Sequence, residues 1–359
     1  MVYEARLSMI SFTENGMRLA ARLARLLGED NCSLFTRCSA YKRAGQADMV
    51  KFVDARIGKW AGEQMESGNA LIFIGACGIA VRAVAPNLTD KLHDVPVLVI
   101  DEKGQYVIPI LSGHMGGANE LAARIAERIG AEPVITTATD LNRRFAVDLF
   151  AKKNDLSVVN KDGIAKVSSK VLSGQEISVS VETGHLENPS HPPEGVRIVP
   201  YPPACPVDVV VSSEAGQFDA AILLKPREYV IGMGCKKGKE AEKIEDFIAK
   251  TMGEIGISCM QIYALASIDV KREEQGLLSW SRTRRIPFLT YTAKELGEVQ
   301  GTFKRSDFVK EQVGVDNVCE RAALKASGPA GKLVYEKRAA DGMTIAVARR
   351  EWSVRFDEV

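Results

Sequence analysis

The chain has 359 residues, 46% of them hydrophobic and 26% charged, with 47 Lys plus Arg against 46 Asp plus Glu and a formal net charge of +1. That length is more than one hydrophobic core usually serves and predicts two or three domains, while the balanced charge argues against a general nucleic-acid binder. No apolar run approaches the roughly 20 residues that span a bilayer, and seven scattered cysteines with no Cys-x-x-Cys pair speak against a disulfide scaffold.

The start, MVYEARLSMISF, reads as a first strand rather than a signal peptide, so a cytoplasmic, reducing setting is expected. With only four histidines, no protein-held metal site is expected. The strand at 5–12 is followed by a helix over 14–27 with apolar residues at helical spacing, stopped by Gly28. A short strand at 33–37, a helix over 48–66 and a fully apolar strand at 70–74 follow. Runs at 96–100 and 106–111 flank Asp101-Glu102-Lys103-Gly104 and predict a hairpin. A helix over 117–129 and a buried strand at 133–137 complete a doubly wound mixed sheet over 1–140.

Residues 141–226 read as a small α+β middle domain. Helices at 144–154 and 161–172 lead into short β runs, with a proline-dense stretch at 188–206. Residues 227–359 form a further α/β domain, with strands at 229–233, 262–268, 287–291, 332–335 and 343–348 and helices at 240–251, 273–284, 306–313 and 315–326. The fold class is therefore multidomain α/β.

Five segments carry candidate chemistry. In the first, a buried strand runs into Gly75 and Gly78 ahead of Arg82. Glycines at a strand-to-helix junction expose backbone N–H groups to an anion, although they also serve close helix-on-sheet packing. The second is Ser112-Gly113-His114-Met115-Gly116-Gly117-Ala118-Asn119-Glu120. His114 is the first candidate for an acid or base near neutral pH, with Glu120 as the alternative; a backbone-bonded turn histidine is the competing view. The third, Thr139-Asp140 after the strand at 133–137, reads as ligand contacts or as a helix N-cap. All three are expected at carboxyl ends of strands, where doubly wound sheets bind ligands.

The fourth segment, Gly234-Cys235-Lys236-Lys237-Gly238-Lys239, describes an anion cradle without Walker spacing, and its cysteine is expected to pack rather than attack. The fifth comprises Asp269 and Lys271 at a strand end, and Asp316-Asn317 with Glu320 and Arg321 opening a helix. Asp269, Asp316 and Glu320 are acid/base or orienting candidates. Lys271 and Arg321 are anion contacts, and Asp316 is equally an N-cap. A polyanionic small molecule is the ligand class these segments share.

Taken together, IGACGIAVRAVAP, VIPILSGHMGGANELAARIA, PVITTATDLN, VIGMGCKKG, ASIDVKREEQGLL and VGVDNVCERAAL resemble the cobalt-precorrin-5A hydrolase (CbiG) family of anaerobic cobalamin biosynthesis, over residues 50–348. The proline-rich middle matches poorly. The resemblance implies hydrolysis of a δ-lactone on a cobalt-containing, carboxylate-fringed macrocycle, with loss of acetaldehyde to give cobalt-precorrin-5B. It implies no cofactor beyond the cobalt that the substrate carries, and other cobalamin-pathway enzymes as candidate partners. Rival readings are a corrinoid carrier without chemistry and a nucleotide-binding α/β enzyme.

Overall fold

The computed structural model describes residues 6–43, 50–89, 94–114, 116–137, 144–187, 191–214, 216–305 and 311–356. They form two compact units that divide between Arg144 and Phe145.

The first unit is built on a seven-stranded sheet in the order β3-β2-β1-β4-β5-β6-β7. Its strands are β1 (Leu7–Ser11), β2 (Cys32–Thr36), β3 (Val50–Phe52), β4 (Ala70–Ile74), β5 (Val97–Ile100), β6 (Tyr106–Leu111) and β7 (Glu132–Pro133). The first five run parallel, β6 turns back against β5, and β7 follows β6. β4 and β5 are buried at every residue because helices cover both faces. On one face α1 (Glu14–Leu27) and α5 (Ala118–Ile129) bury Leu19, Leu23, Ala122 and Ile125. On the other, α3 (Ile57–Glu66) and α4 (Cys77–Val84) bury Trp60, Ala61, Ala80 and Ala83. A short α2 (Ser39–Arg43) lies between β2 and β3.

Two expectations change here. The helix expected over 48–66 is a strand and a shorter helix, because Val50-Lys51-Phe52 alternates and pairs along β2. The buried strand expected at 133–137 shrinks to exposed Glu132–Pro133 at the sheet edge, where a proline is tolerated. Beyond it, the Val134 N–H still donates to the Val107 carbonyl at 2.9 Å.

The second unit holds two five-stranded sheets. The first, ordered β10-β9-β11-β12-β8, comprises β8 (Leu156–Val158), β9 (Ile177–Val181), β10 (Val196–Val199), β11 (Val207–Val211) and β12 (Ala220–Pro226), with α6 (Val147–Lys153) and α7 (Asp162–Leu172). The second, ordered β15-β14-β13-β17-β16, comprises β13 (Tyr229–Cys235), β14 (Ile262–Ile268), β15 (Phe288–Tyr291), β16 (Lys332–Ala340) and β17 (Met343–Arg349). Its helices are α8 (Ala241–Ile255), α9 (Gln275–Arg284), α10 (Ala293–Gly297) and α11 (Cys319–Ser327).

Helix α11 crosses β13 so closely that a side chain at Gly232 would overlap the Cys319 carbonyl. It starts four residues later than expected, because the Asn317 side chain accepts the Glu320 N–H at 2.9 Å and makes 315–318 the approach to the helix. The expected helix at 306–313 falls largely outside the described residues. After β17 the chain returns to the first sheet of this unit. Val354 exchanges backbone hydrogen bonds with His185 and Glu187, Trp352 stacks on His185 at 3.8 Å, and Phe356 stacks on Phe150 at 4.9 Å. No periodicity announces that strap.

Candidate active site

In the first unit the two glycine loops sit at opposite edges of the sheet. Gly75 leaves β4 beside Ile100, whereas Leu111, the last residue of β6, lies beside Val97 at the start of β5. Four strand residues, on the order of 13 Å, separate the two edges. The expected convergence at strand carboxyl ends fails because β6 is antiparallel, so its carboxyl end is the other strands' amino edge. What the Ser112–Glu120 loop does meet is the segment after β7: the Asn119 amide donates to Thr137 Oγ1 at 2.8 Å. Thr139 and Asp140, expected as contacts there, lie outside the described residues.

The Gly75 N–H donates to Ile100 O at 2.9 Å, and the Glu102 carboxylate accepts from Thr13 Oγ1 at 2.8 Å, beside the start of α1. Gly78 and Arg82 are exposed one turn apart on α4, with the Arg82 guanidinium lying over Gly78.

The Ser112–Glu120 loop folds tightly on itself, which accounts for its glycines. A Cβ at Gly113 would sit 2.8 Å from Asn119 Oδ1, and one at Gly116 would overlap the Ser112 side chain. Gly117 caps α5 in the left-handed conformation, φ 84°. Ala118 and Asn119 donate their N–H groups to Ser112 O and Gly113 O at 3.0 and 3.1 Å, and Gly117 donates to His114 O at 3.0 Å. These three N–H groups are thus engaged within the loop. The Ser112 hydroxyl ties it to Asp94 O at 2.8 Å. His114 is half-buried within it and Glu120 is exposed in the first turn of α5.

The last sheet behaves in the opposite way, and its expected segments come together. β13 and β14 are parallel and both end at one edge, where the Asp341-Gly342 turn between β16 and β17 also lies. Lys236 N donates to Gly342 O at 3.0 Å, and Lys239 Nζ reaches Asp341 Oδ2 at 2.6 Å. That ion pair lowers the Asp341 pKa. From the β14 side, Glu274 accepts the Gly238 N–H at 2.8 Å and Lys271 Nζ at 3.3 Å. Lys236 and Lys237 are exposed, while Asp269 and Lys271 are half-buried. Gly234 lies against Thr344. Burial pushes the Cys235 thiol up to about 11, in spite of Lys271 and Lys239, so it stays protonated near neutral pH.

The Asp316–Arg321 segment departs from expectation. Arg321, expected at a substrate carboxylate, is bound to Asp316 at 3.0 Å and donates to Leu296 O and Val299 O at 3.2 and 2.9 Å. It also stacks on Phe303 at 4.3 Å. Asp316 is shared with Arg305 at 3.5 Å. Asn317 is fully buried, donating to Lys304 O at 3.0 Å, and Glu320 is 1% exposed. Glu320 accepts from Lys304 N, Lys337 N and the Asn317 amide. These four residues are bound to one another and to the segments around α11.

Sequence reasoning passed over Glu274 and Asp341, and placed Lys239 in the cradle without its partner. The Lys271–Glu274 spacing of three was a visible signal, but the Lys239–Asp341 pair spans 102 residues and had none. Among the described residues no cluster of three His, Cys, Asp or Glu side chains could hold a metal, and no helix is long and apolar enough to cross a membrane.

Comparison with known proteins decides the family. Residues 59–140 match the model for Cobalamin synthesis G N-terminal, and residues 229–348 that for Cobalamin synthesis G C-terminus. A cobalt-precorrin-5A hydrolase of Priestia megaterium is 32% identical over 95% of this chain and 94% of its own length. This chain belongs to the cobalt-precorrin-5A hydrolase family. Its namesake from Salmonella typhimurium is also 32% identical, covering 95% of this chain and 97% of its own. A probable cobalt-precorrin-5A hydrolase of Methanocaldococcus jannaschii is 29% identical over 80% of this chain and 86% of its own. The matched segments of this family member contain both glycine loops of the first unit and the whole lysine edge of the last sheet. Residues 141–228, which hold the first sheet of the second unit, lie outside both models.

Proposed function

We propose that this protein hydrolyses cobalt-precorrin-5A during assembly of the corrin ring. Water adds to the δ-lactone carbonyl, the acyl C–O bond breaks, and the freed alkoxide drives carbon–carbon cleavage that expels acetaldehyde and leaves cobalt-precorrin-5B. The supporting observation is the 32% identity to named cobalt-precorrin-5A hydrolases along almost the whole chain.

His114 takes the proton from the attacking water, with Glu120 as the alternative base. Its loop fits that role, since Ser112, Asn119 and Thr137 hold the backbone around it. Lys236, Lys237 and Lys271 bind substrate carboxylates, with Asp269 orienting the adjoining group. Val270, 66% exposed between Asp269 and Lys271, offers an apolar contact for the macrocycle face amid the charges. The protein supplies binding, orientation and proton transfer in the cytoplasm, and the cobalt travels in the substrate.

Single-turnover incubation of purified protein with cobalt-precorrin-5A tests this reading. Stoichiometric acetaldehyde supports hydrolysis. Tight binding with no aldehyde would identify a carrier instead.

A further inference from the structure

We infer that Glu274 is a positioning residue that sets the spacing of the ammonium groups binding substrate carboxylates at the lysine edge. The inference rests on the function proposed above and deepens its account of substrate binding.

Glu274 begins the approach to α9 and is 9% exposed. Its two oxygens divide between the two loops that carry the lysines. Oε1 accepts the Gly238 N–H at 2.8 Å, within the loop that bears Lys236 and Lys237. Oε2 takes the Lys271 ammonium at 3.3 Å, from the turn after β14, and the Lys271 side chain is itself only 17% exposed. Gly238 has φ 74°, so the loop bends there in a conformation that L side chains rarely adopt, and its N–H is turned onto the carboxylate.

A buried carboxylate is costly to desolvate, and breaking such a pair is expensive while replacing it with apolar groups is often neutral. Stability alone is therefore a weak reason to place a glutamate here. What the carboxylate does that an apolar side chain would not is to join a backbone N–H of one loop to the side-chain charge of the other. The loop has further ties at Lys236 N to Gly342 O and Lys239 Nζ to Asp341, and α9 packs so tightly below that a Cβ at Gly276 would overlap the Lys239 carbonyl. Those ties hold the loop's flanks against other elements. Glu274 links it to Lys271, and so presets the geometry in which Lys236, Lys237 and Lys271 meet a polycarboxylate, which spares that ordering on binding.

The test compares wild type, Glu274→Gln and Glu274→Ala as full chains, measuring cobalt-precorrin-5A binding and acetaldehyde release at several ionic strengths. Glu274→Ala is expected to raise Kd and KM by roughly tenfold with kcat within about threefold, because the ammonium groups lose their spacing, and to steepen the salt dependence of kcat/KM, because one negative charge is removed from the lysine edge. Glu274→Gln keeps an acceptor for Gly238 but loses the charge facing Lys271, and is expected to fall between the two. An unchanged Kd, or a loss of activity that follows thermal stability with the salt dependence intact, would overturn the proposal. If Glu274→Ala does not fold, Glu274→Gln carries the same readout. If the wild type binds but releases no aldehyde, the hydrolase reading fails, and Glu274 stands or falls on Kd alone.

Discussion

The seven-stranded sheet of the first unit and the last sheet of the second use the same parts differently. Each joins a parallel core to an antiparallel flank, β5–β6 in one and β16–β17 in the other. In the first, a chemistry-bearing loop follows the reversed strand, and is carried to the edge opposite Gly75. In the last sheet the lysine and aspartate segments follow β13 and β14, which run the same way, and the reversed hairpin contributes its turn to that edge. Strand direction, and not the glycine content of a loop, decides which loops share an edge of a sheet.

The largest effect that could break this contrast lies in the first unit. His114→Ala is expected to slow acetaldehyde release by about 100-fold or more, in the range typical of general acid–base catalysis, whereas Arg82→Ala at the other edge changes it less than about threefold. The reverse ranking in single-turnover assays would move the site to the Gly75 edge. Next come the tight glycines. Gly276→Ala and Gly116→Ala each force a side chain into occupied space and are expected to cost about 1–3 kcal/mol in denaturant unfolding. Their kinetic signatures should differ, with Gly276→Ala raising KM through the lysine loop and Gly116→Ala lowering kcat through the His114 loop.

A smaller effect concerns pH. Burial pushes the thiols of Cys235 and Cys319 up to about 11 from an ordinary 9.0. The folded state keeps these protons after the unfolded chain has lost them, so the stabilisation is complete below pH 9 and fades as pH rises to about 11. For fully buried Cys319 it amounts to roughly 3 kcal/mol. Unfolding curves across that window should fall with pH, and Cys319→Ala should flatten them. The smallest expected change is Cys235→Ser, under about twofold in kcat, since a protonated, packed thiol is a poor nucleophile. A large loss would reopen covalent chemistry at the lysine edge.

Much of this was legible along the chain. The apolar run 70–74, the stripe of α1 and the stop at Gly28 follow from periodicity and a glycine's freedom. So did the hairpin around Asp101–Gly104, and with it the reversal of β6. That reversal already carries the Ser112 loop to the edge opposite Gly75. By contrast, Arg321 and Asn317 looked like ligand contacts because charge and helix position are all that a linear pattern supplies. Their partners at Leu296, Val299, Lys304 and Phe303 come from a segment that periodicity does not place. β3 was missed because three residues are too few for a period to outweigh the helix that follows.

By itself, then, the sequence determined the α/β class, the covered parallel cores, the glycine-marked turns and, through its long motifs, the family. These depend on local preferences and on which face of an element is apolar, both of which are written in consecutive residues. Only the tertiary structure decided that the two glycine loops part, that the lysine segments converge on Glu274 and Asp341, and that the Asp316–Arg321 cluster is tied to Leu296, Val299 and Lys304. Those outcomes depend on strand direction and on contacts between residues as far apart as Lys239 and Asp341, which only chain folding brings to 2.6 Å.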